Sequence, residues 1–354
     1  MISVNRSVLH EALKKMKTVV ESAVSPTVRI VVRDGDVHLT TLGSSIRMAA
    51  YLTKIDRPGD VHRTVNYHDL TKFVASTKDL LVAIDIGETV VVQTGKARIN
   101  LLHSEMFDFD VGMIPVVESH AANGLVKALK FASAAMSKER VRYNMRGVFA
   151  ESVSGRTIFW GCSGPYMHRT YVAAQRVEAS GTIPYDAVEL LKTFGDELRL
   201  DVTATQWVAA ASGITIWGPT LDAEFPNVRG VVSGLKDVAT VCSLKRDEIL
   251  EAVGVASAGA SDGEKPMVKI DAAGGAIVFS GYERGASVKE AGSMIVNCDV
   301  AAPLKIVLDT TNLKKSVGAF AADDILIERA SISNGDLIRL SAGNEEAYLM
   351  GVMS

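Results

Sequence analysis

The sequence predicts an α+β protein of three repeated domains, each with two helices packed on paired antiparallel sheets. Amphipathic helices alternate with groups of short strands, and the same order of elements occurs three times. The second helices of the three copies start at Tyr67, Tyr185 and Thr310, a period of about 120 residues, which is too long for a solenoid. The chain of 354 residues is 47% hydrophobic, so it can bury a large core.

The first copy opens with a helix at 6–20, because Leu9, Leu13, Met16 and Val20 recur at helical spacing. Asp34-Gly35 marks a hairpin turn after it. The other elements predicted for this copy are strands at 27–32, 37–42 and 61–65, a helix at 67–76, and strands at 80–84, 89–93 and 98–102.

The second and third copies repeat this order, and a generic α+β protein without a true repeat is the alternative. In the second copy we predict helices at 125–136 and 185–194, with strands at 147–151, 157–162, 198–202, 207–211 and 213–217. In the third we predict helices at 246–256 and 310–320, with strands at 267–271, 276–280, 304–308, 325–329, 337–341 and 347–353. Linkers predicted at 111–122 and 232–239 lead to domains at 1–117, 118–234 and 235–354.

Composition excludes several classes of protein. The formal net charge is -3, so a nucleic-acid partner cannot be inferred from overall basicity. Cys162, Cys242 and Cys298 are isolated, which argues against a disulfide framework and a zinc site and fits a reducing cytoplasm. No apolar run reaches membrane-spanning length, and we expect no metal and no cofactor because no nucleotide-binding or metalloprotease motif is present.

Three segments resemble one known family. They are 141–151 (VRYNMRGVFAE), similar to V-R-Y-x-L-N-G-x-x-F/L-E; 222–229 (DAEFPNVR), similar to D-G-x-F-P-D/N-Y-x-R; and 347–354 (AYLMGVMS), similar to A-Y-V-V-M-P-M-R-L. With the threefold repeat, the whole chain resembles the bacterial β sliding clamp, the processivity subunit of the replicative DNA polymerase. The identity is low, as expected for a divergent clamp of the kind that a phage could encode.

The segment 162–171 departs from the family string T-D-G/S-H-R-L-A. An alignment without a gap from Gly147 matches Gly164 and Met167 to the family's Gly and Leu. An alignment on His168-Arg169 instead requires three inserted residues. We prefer the first alignment, because it places the apolar Met167 where the family has its Leu.

The resemblance implies a homodimer that closes into a ring around double-stranded DNA without sequence preference. Such a ring tethers the DNA polymerase, the clamp loader and other proteins that carry a clamp-binding peptide, and it catalyses no reaction. Ile99 and Leu101 lie in the strand that resembles the dimer contact. Two alternatives remain: a clamp-fold binding module without a replication role, and a hydrolase that uses Cys162 and His168.

Two sets of site residues follow. The resemblance implies a partner-peptide pocket at Met145, Cys162, Gly164, Met167, Pro226, Val231, Asn312, Leu349, Met350, Val352 and Met353, and methionine suits a surface that accepts several peptides. The predicted helices and the residues next to them supply the candidate DNA-facing residues Lys14, Lys15, Lys17, Lys72, Lys127, Lys130, Lys138, Arg140, Arg142, Lys192, Lys245, Arg246, Lys314 and Lys315.

Overall fold

The computed structural model of the chain describes residues 1–56, 59–106, 108–173, 175–258, 266–282, 292–333 and 335–352. Helices and antiparallel sheets make up its regular structure, which confirms the predicted α+β class. The first elements in chain order are β1 (Ile2–Asn5), α1 (Arg6–Glu21), β2 (Thr27–Arg33), β3 (Asp36–Leu42), β4 (Arg47–Lys54), β5 (Val61–Asn66), α2 (Tyr67–Ser76), β6 (Leu81–Ile86), β7 (Thr89–Thr94) and β8 (Ala97–Leu102).

The middle of the chain repeats this order with shorter helices than the sequence predicts. A 3-10 helix at Arg140–Met145 follows the first of them. The elements are α3 (Leu125–Ser133), β9 (Gly147–Val153), β10 (Arg156–Cys162), β11 (Tyr166–Ala173), β12 (Arg176–Val177), β13 (Gly181–Pro184), α4 (Tyr185–Leu191), β14 (Arg199–Val202), β15 (Gln206–Ala211) and β16 (Ile214–Pro219).

The last part of the chain carries the third copy. Its elements are α5 (Val228–Ser233), β17 (Lys236–Lys245), α6 (Arg246–Ala256), β18 (Met267–Ala273), β19 (Ala276–Tyr282), β20 (Ser293–Asn297), β21 (Leu304–Asp309), α7 (Thr310–Ala319), β22 (Asp324–Ile332), β23 (Gly335–Ala342) and β24 (Glu345–Met350). The predicted linker 232–239 is wrong, because it contains the end of α5 and the start of β17.

Side-chain caps explain where several helices begin. Asn5 accepts the N–H of Ser7 at the start of α1, and Asn66 accepts the N–H groups of His68 and Asp69 at the start of α2. At the equivalent place in the third copy, the Asp309 carboxylate accepts the N–H of Asn312 at the start of α7. Each cap satisfies backbone donors that the first turn of a helix leaves free.

The described chain divides into two compact units, and the first comprises Met1–Ala122 and Thr193–Thr220. A four-stranded sheet in the order β1-β6-β7-β8 lies in this unit, together with a larger antiparallel sheet in the order β14-β15-β16-β4-β3-β2-β5. The larger sheet is continuous because β4 pairs with β16, with Ala49 opposite Thr215. The segment around Val111 and Val117 packs on this sheet against Trp217.

The second unit comprises Asn123–Lys192 and Leu221–Ser354. Its large antiparallel sheet has the order β13-β9-β10-β11-β24-β23-β22-β17, and a smaller sheet has the order β20-β19-β18-β21. The pairing of β11 with β24 joins the two halves of the large sheet, with Met167 opposite Tyr348.

Each large sheet therefore combines strands from two successive predicted domains. Because the pairings of β4 with β16 and of β11 with β24 cross the predicted boundaries, the compact units differ from the domains 1–117, 118–234 and 235–354. Those boundaries stay a prediction from the repeat in the sequence.

Candidate functional site

A cleft of about 1240 Å³ opens in the second unit, beside the pairing of β11 with β24. Residues of α3, of the 3-10 helix that follows and of β11 line one part of it, and residues of α7, β21 and β24 line another. The apolar part of the lining includes Met136, Tyr166, Leu308 and Met350. A concave surface of this volume, with apolar and polar groups together, is suited to bind a ligand.

Four predicted pocket residues line this cleft: Asn312, Leu349, Met350 and Val352. Leu349 is only 2% exposed and also belongs to the hydrophobic core, so it is mainly a core residue. The N–H of Met350 donates to the carbonyl of Pro165 over 2.9 Å, which fixes the end of β24 against the turn before β11. Met353, also predicted for the pocket, lies outside the described residues.

Four other predicted pocket residues share an apolar cluster on the opposite face of the same sheet: Met145, Cys162, Met167 and Val231. The faces differ because side chains alternate along a strand, so Met167 and Tyr348 point away from Tyr166 and Leu349. The segment before α5 covers this cluster, and Phe225 stacks on Phe149 with ring centroids 5.0 Å apart. Pro226 follows Phe225 and is half-buried.

The two groups of predicted residues approach each other at the turn between β10 and β11. Gly164 lies in this turn with φ +76, and a Cβ there would lie 3.2 Å from the Arg142 guanidinium. The neighbouring Ser163 and Pro165 line the cleft. The structure therefore assembles the described pocket residues as an apolar cluster on one face and a cleft on the other, with Gly164 at the turn beside them.

Glu151 fixes the segment that covers the apolar cluster. Its side chain is 2% exposed, and its carboxylate accepts the indole N–H of Trp160 over 2.6 Å. The guanidinium of Arg229, on α5, contacts the other carboxylate oxygen. Because a buried carboxylate is stable only when paired and hydrogen-bonded, this contact holds α5, and with it Val231, on the sheet.

Sequence reasoning did not identify several residues of this region. Met136 and Tyr166 line the cleft, and Glu151 anchors α5, but none was among the predicted site residues. Glu151 ends the VRYNMRGVFAE segment, which was a usable signal. Tyr166 lies on β11, a strand that the sequence analysis did not predict.

Cys162 and His168 do not form a catalytic pair. They lie on adjacent strands, and their side chains point to opposite faces because Cys162 pairs with Met167 while His168 pairs with Gly161. Both ring nitrogens of His168 are engaged, with the Phe131 carbonyl and the Ser316 hydroxyl at 2.8 Å each. Burial raises the pKa of the Cys162 thiol, which opposes formation of the nucleophilic thiolate.

In the first unit, the predicted DNA-facing lysines lie on the exposed sides of α1 and α2. Lys14 and Lys72 are exposed, and Lys17 forms an ion pair with Glu21 over 3.8 Å. Lys15 is half-buried, because its ammonium group donates to the Thr193 carbonyl over 2.7 Å and lies 4.5 Å from the Phe194 ring centroid. Three of the four lysines thus present their charge to solvent.

In the second unit, the predicted cations fall into two groups. Lys127, Lys130, Lys138, Arg140 and Lys315 are exposed. The others have polar partners within the unit: Arg142 with Glu139 and Ser163, Lys192 with Glu189 and Ser133, Lys245 with Asp324, Arg246 with Asp247 and Phe320, and Lys314 with Ser257. Lys130, Lys138, Arg142, Lys192 and Lys315 also line the cleft, a position that the sequence did not reveal.

The predicted dimer-contact residues lie on β8, an edge strand of its sheet. Leu101 is 4% exposed and belongs to the core of its own unit, and Ile99 is half-buried. Leu102 points to the other face and is 76% exposed. The strand therefore offers an open edge, but Leu101 itself contributes mainly to the fold.

No helix within the described ranges is long and apolar enough to cross a membrane.

Comparisons with known proteins identify the fold. No protein-family model matches the sequence, and no curated protein matches it. Among solved structures, the DNA polymerase sliding clamp of Pseudomonas aeruginosa is similar with a TM-score of 0.84 and 18% identity, over 100% of this chain and 99% of that one. The Bacillus subtilis sliding clamp gives 0.80 and 17% identity, over 99% and 98% of the chains. The Thermotoga maritima DNA polymerase III β subunit gives 0.80 and 14% identity, over 100% and 99%.

These likenesses cover 98–100% of each chain, and they confirm the predicted fold. At this level of identity they establish architecture alone. The chain has the fold of the bacterial DNA polymerase sliding clamps.

Proposed function

We propose that this protein is a DNA sliding clamp, which encircles duplex DNA and tethers the replicative polymerase and other partners for processive synthesis. The observation that carries the proposal is the structural likeness to bacterial clamps over 98–100% of both chains. A likeness limited to one repeat would support only a shared domain. Likeness along the entire chain supports a shared assembly.

The proposed ring is a homodimer closed by edge strands. Within the part of the chain that the structure describes, β8 pairs only with β7 and β20 pairs only with β19. Each of these edges carries an exposed apolar side chain, Leu102 at 76% and Ile295 at 65%. A head-to-tail pairing of such edges between two copies would satisfy their free backbone groups and, when the rotation closes, leave no open end.

DNA contact is proposed for the exposed lysines of the helices. Lys14 and Lys72 in the first unit form no ion pair or hydrogen bond among the described groups, and Lys127 in the second unit is exposed, so their charges are available to phosphates. Contacts of this kind carry no sequence information, which suits a ring that must slide.

The proposed partner site combines the cleft with the apolar cluster around Met167. Adaptable methionines at Met145, Met167 and Met350 support binding of several different peptides. A tether needs no chemical step, and the separation of Cys162 from His168 supports a role without catalysis. We place this activity in the cytoplasm, where the chromosome and its polymerase lie.

Negative-stain electron microscopy of the purified protein, with sedimentation of the same sample, tests the proposal. The expected result is a particle of dimer mass with a central hole. Compact particles without a hole at dimer mass would contradict the ring. A ring that fails to support polymerase processivity would instead indicate a clamp-fold binding module.

A further inference from the structure

The cleft in the second unit carries more positive than negative charge. Five basic side chains line it: Lys130, Lys138, Arg142, Lys192 and Lys315. Three acidic side chains line it as well: Glu139, Glu189 and Asp309. The number of cations alone does not decide what binds, because some of them are already paired.

The acidic groups in the cleft are all engaged. Glu139 pairs with Arg142 over 3.1 Å, and Glu189 pairs with Lys192 over 2.6 Å. The Asp309 carboxylate accepts the N–H of Asn312 over 2.9 Å at the start of α7. Two cations are therefore neutralised locally by these carboxylates.

The excess charge is carried by three lysines, Lys130, Lys138 and Lys315. All three are exposed, and no ion pair or hydrogen bond joins their ammonium groups to the groups that the structure describes. Lys130 and Lys138 come from α3 and the segment after it, and Lys315 comes from α7, which is on another part of the lining. Acidic groups of a ligand could thus meet a lysine from either helix.

The lining also has an apolar part. Met267, Met350 and Val352 line it and are half-buried, whereas Tyr166 and Leu308 are almost fully covered by the core. The cleft volume of about 1240 Å³ exceeds that of most small-molecule pockets. A complementary ligand therefore has apolar anchors and carboxylates within one short segment. A nucleic-acid backbone matches the lysines but offers no apolar side chains for the rest of the lining.

We propose that this cleft selects partner peptides that carry acidic residues beside their apolar anchors, and that Lys130, Lys138 and Lys315 are the residues that recognise the acidic flank. The proposal rests on the proposed function, since it specifies the chemistry of the partners that the clamp would tether. The sequence predicted that these three lysines face DNA, whereas here they recognise a partner peptide.

Fluorescence polarisation with three labelled peptides tests this. The peptides share one core of two leucines and a phenylalanine, flanked by aspartates, by asparagines or by lysines. The aspartate peptide should bind tightest and lose affinity as salt rises from about 0.05 to about 0.5 M, while the asparagine peptide should respond little. Each of Lys130→Gln, Lys138→Gln and Lys315→Gln should lower the affinity for the aspartate peptide about two- to fourfold. The triple variant should lower it about tenfold or more.

Lys305→Gln is the matched control, because Lys305 is exposed in the same unit and does not line the cleft. This control should leave the affinities for all three peptides unchanged. None of the lysine variants should change the affinity for the asparagine peptide. Equal affinities of the aspartate and asparagine peptides for the wild-type protein would overturn the charge preference alone. Binding of none of the peptides would overturn the partner site itself.

Duplex DNA provides the remaining comparison. If the triple variant loses affinity for a short duplex while its affinity for the aspartate peptide is unchanged, the three lysines serve DNA and the proposal is wrong.

Discussion

His168 should make the second unit sensitive to acid. Its side chain is fully buried between α3 and α7, where it contacts the Phe131 carbonyl and the Ser316 hydroxyl. The neutral ring satisfies both contacts, because one nitrogen donates to the carbonyl and the other accepts from the hydroxyl. Burial lowers the pKa of His168 from 6.5 to about 4, since a charged ring would lose its hydration.

The sign of the effect follows from this pKa. The unfolded chain binds a proton at His168 more readily than the folded chain, so acid favours unfolding. The stability that depends on the neutral ring is complete above pH 6.5 and falls as the pH drops towards about 4. The pKa of His168 falls from 6.5 to about 4, so at about 1.4 kcal/mol per pH unit the full loss of stability is about 3 to 4 kcal/mol, and about 2 kcal/mol is already lost at about pH 5.

The assay is denaturant unfolding of the wild type and His168→Gln at about pH 7.5 and about pH 5. Glutamine keeps one donor and one acceptor but does not titrate, and the other acid-sensitive groups are common to both proteins. The wild type should lose about 2 kcal/mol more than the variant between the two pH values. The same loss in both proteins would refute the assignment of a neutral buried ring to His168.

Three further outcomes are expected. Met350→Lys should lower the affinity for a polymerase-derived clamp-binding peptide about thirtyfold, as measured by fluorescence polarisation, which corresponds to about 2 kcal/mol of binding free energy. It should not change the oligomer mass. Deletion of 349–354 is a poorer test, because it should also lower the melting temperature by removing Leu349 from the core. Leu102→Asp should yield monomers in sedimentation with little change in melting temperature, whereas Leu101→Asp should unfold the first unit. If the Leu102→Asp protein still sediments as a dimer, the β8 edge does not form the interface. Binding to short linear duplex should be weak, independent of sequence and steeply reduced by salt in a filter-binding assay, and tight sequence-selective binding would contradict sliding.

The helices and hairpins could be predicted from the sequence because their periodicity is clear. α2 begins and ends at the predicted residues, and Asp34-Gly35 forms the predicted turn between β2 and β3. The strands β4 and β11 were missed. Most residues of β11 are buried on both faces, so polar and apolar residues do not alternate along it. These are the two strands whose pairings join successive repeats.

The candidate site was predictable only in part, since the pocket residues came from alignment with one family. The segment 347–354 pointed to Met350, and the alignment without a gap from Gly147 pointed to Met167. Neither pointed to Met136 or Tyr166, which reach the cleft only through the packing around α3 and the pairing of β11. Leu101 was placed at an interface because its strand resembles the family's contact strand. A strand pattern cannot show which of its two faces covers the unit's own core.

Retention on DNA of defined topology tests the central claim most directly. The protein is loaded onto a nicked circular plasmid with a clamp loader and ATP, isolated by gel filtration, and the plasmid is then cut once with a restriction enzyme. A ring that encircles DNA should stay with the circle and be lost from the linear product through its free ends. Equal retention on circular and linear DNA would show that the protein grips DNA directly, and would contradict the sliding-clamp account.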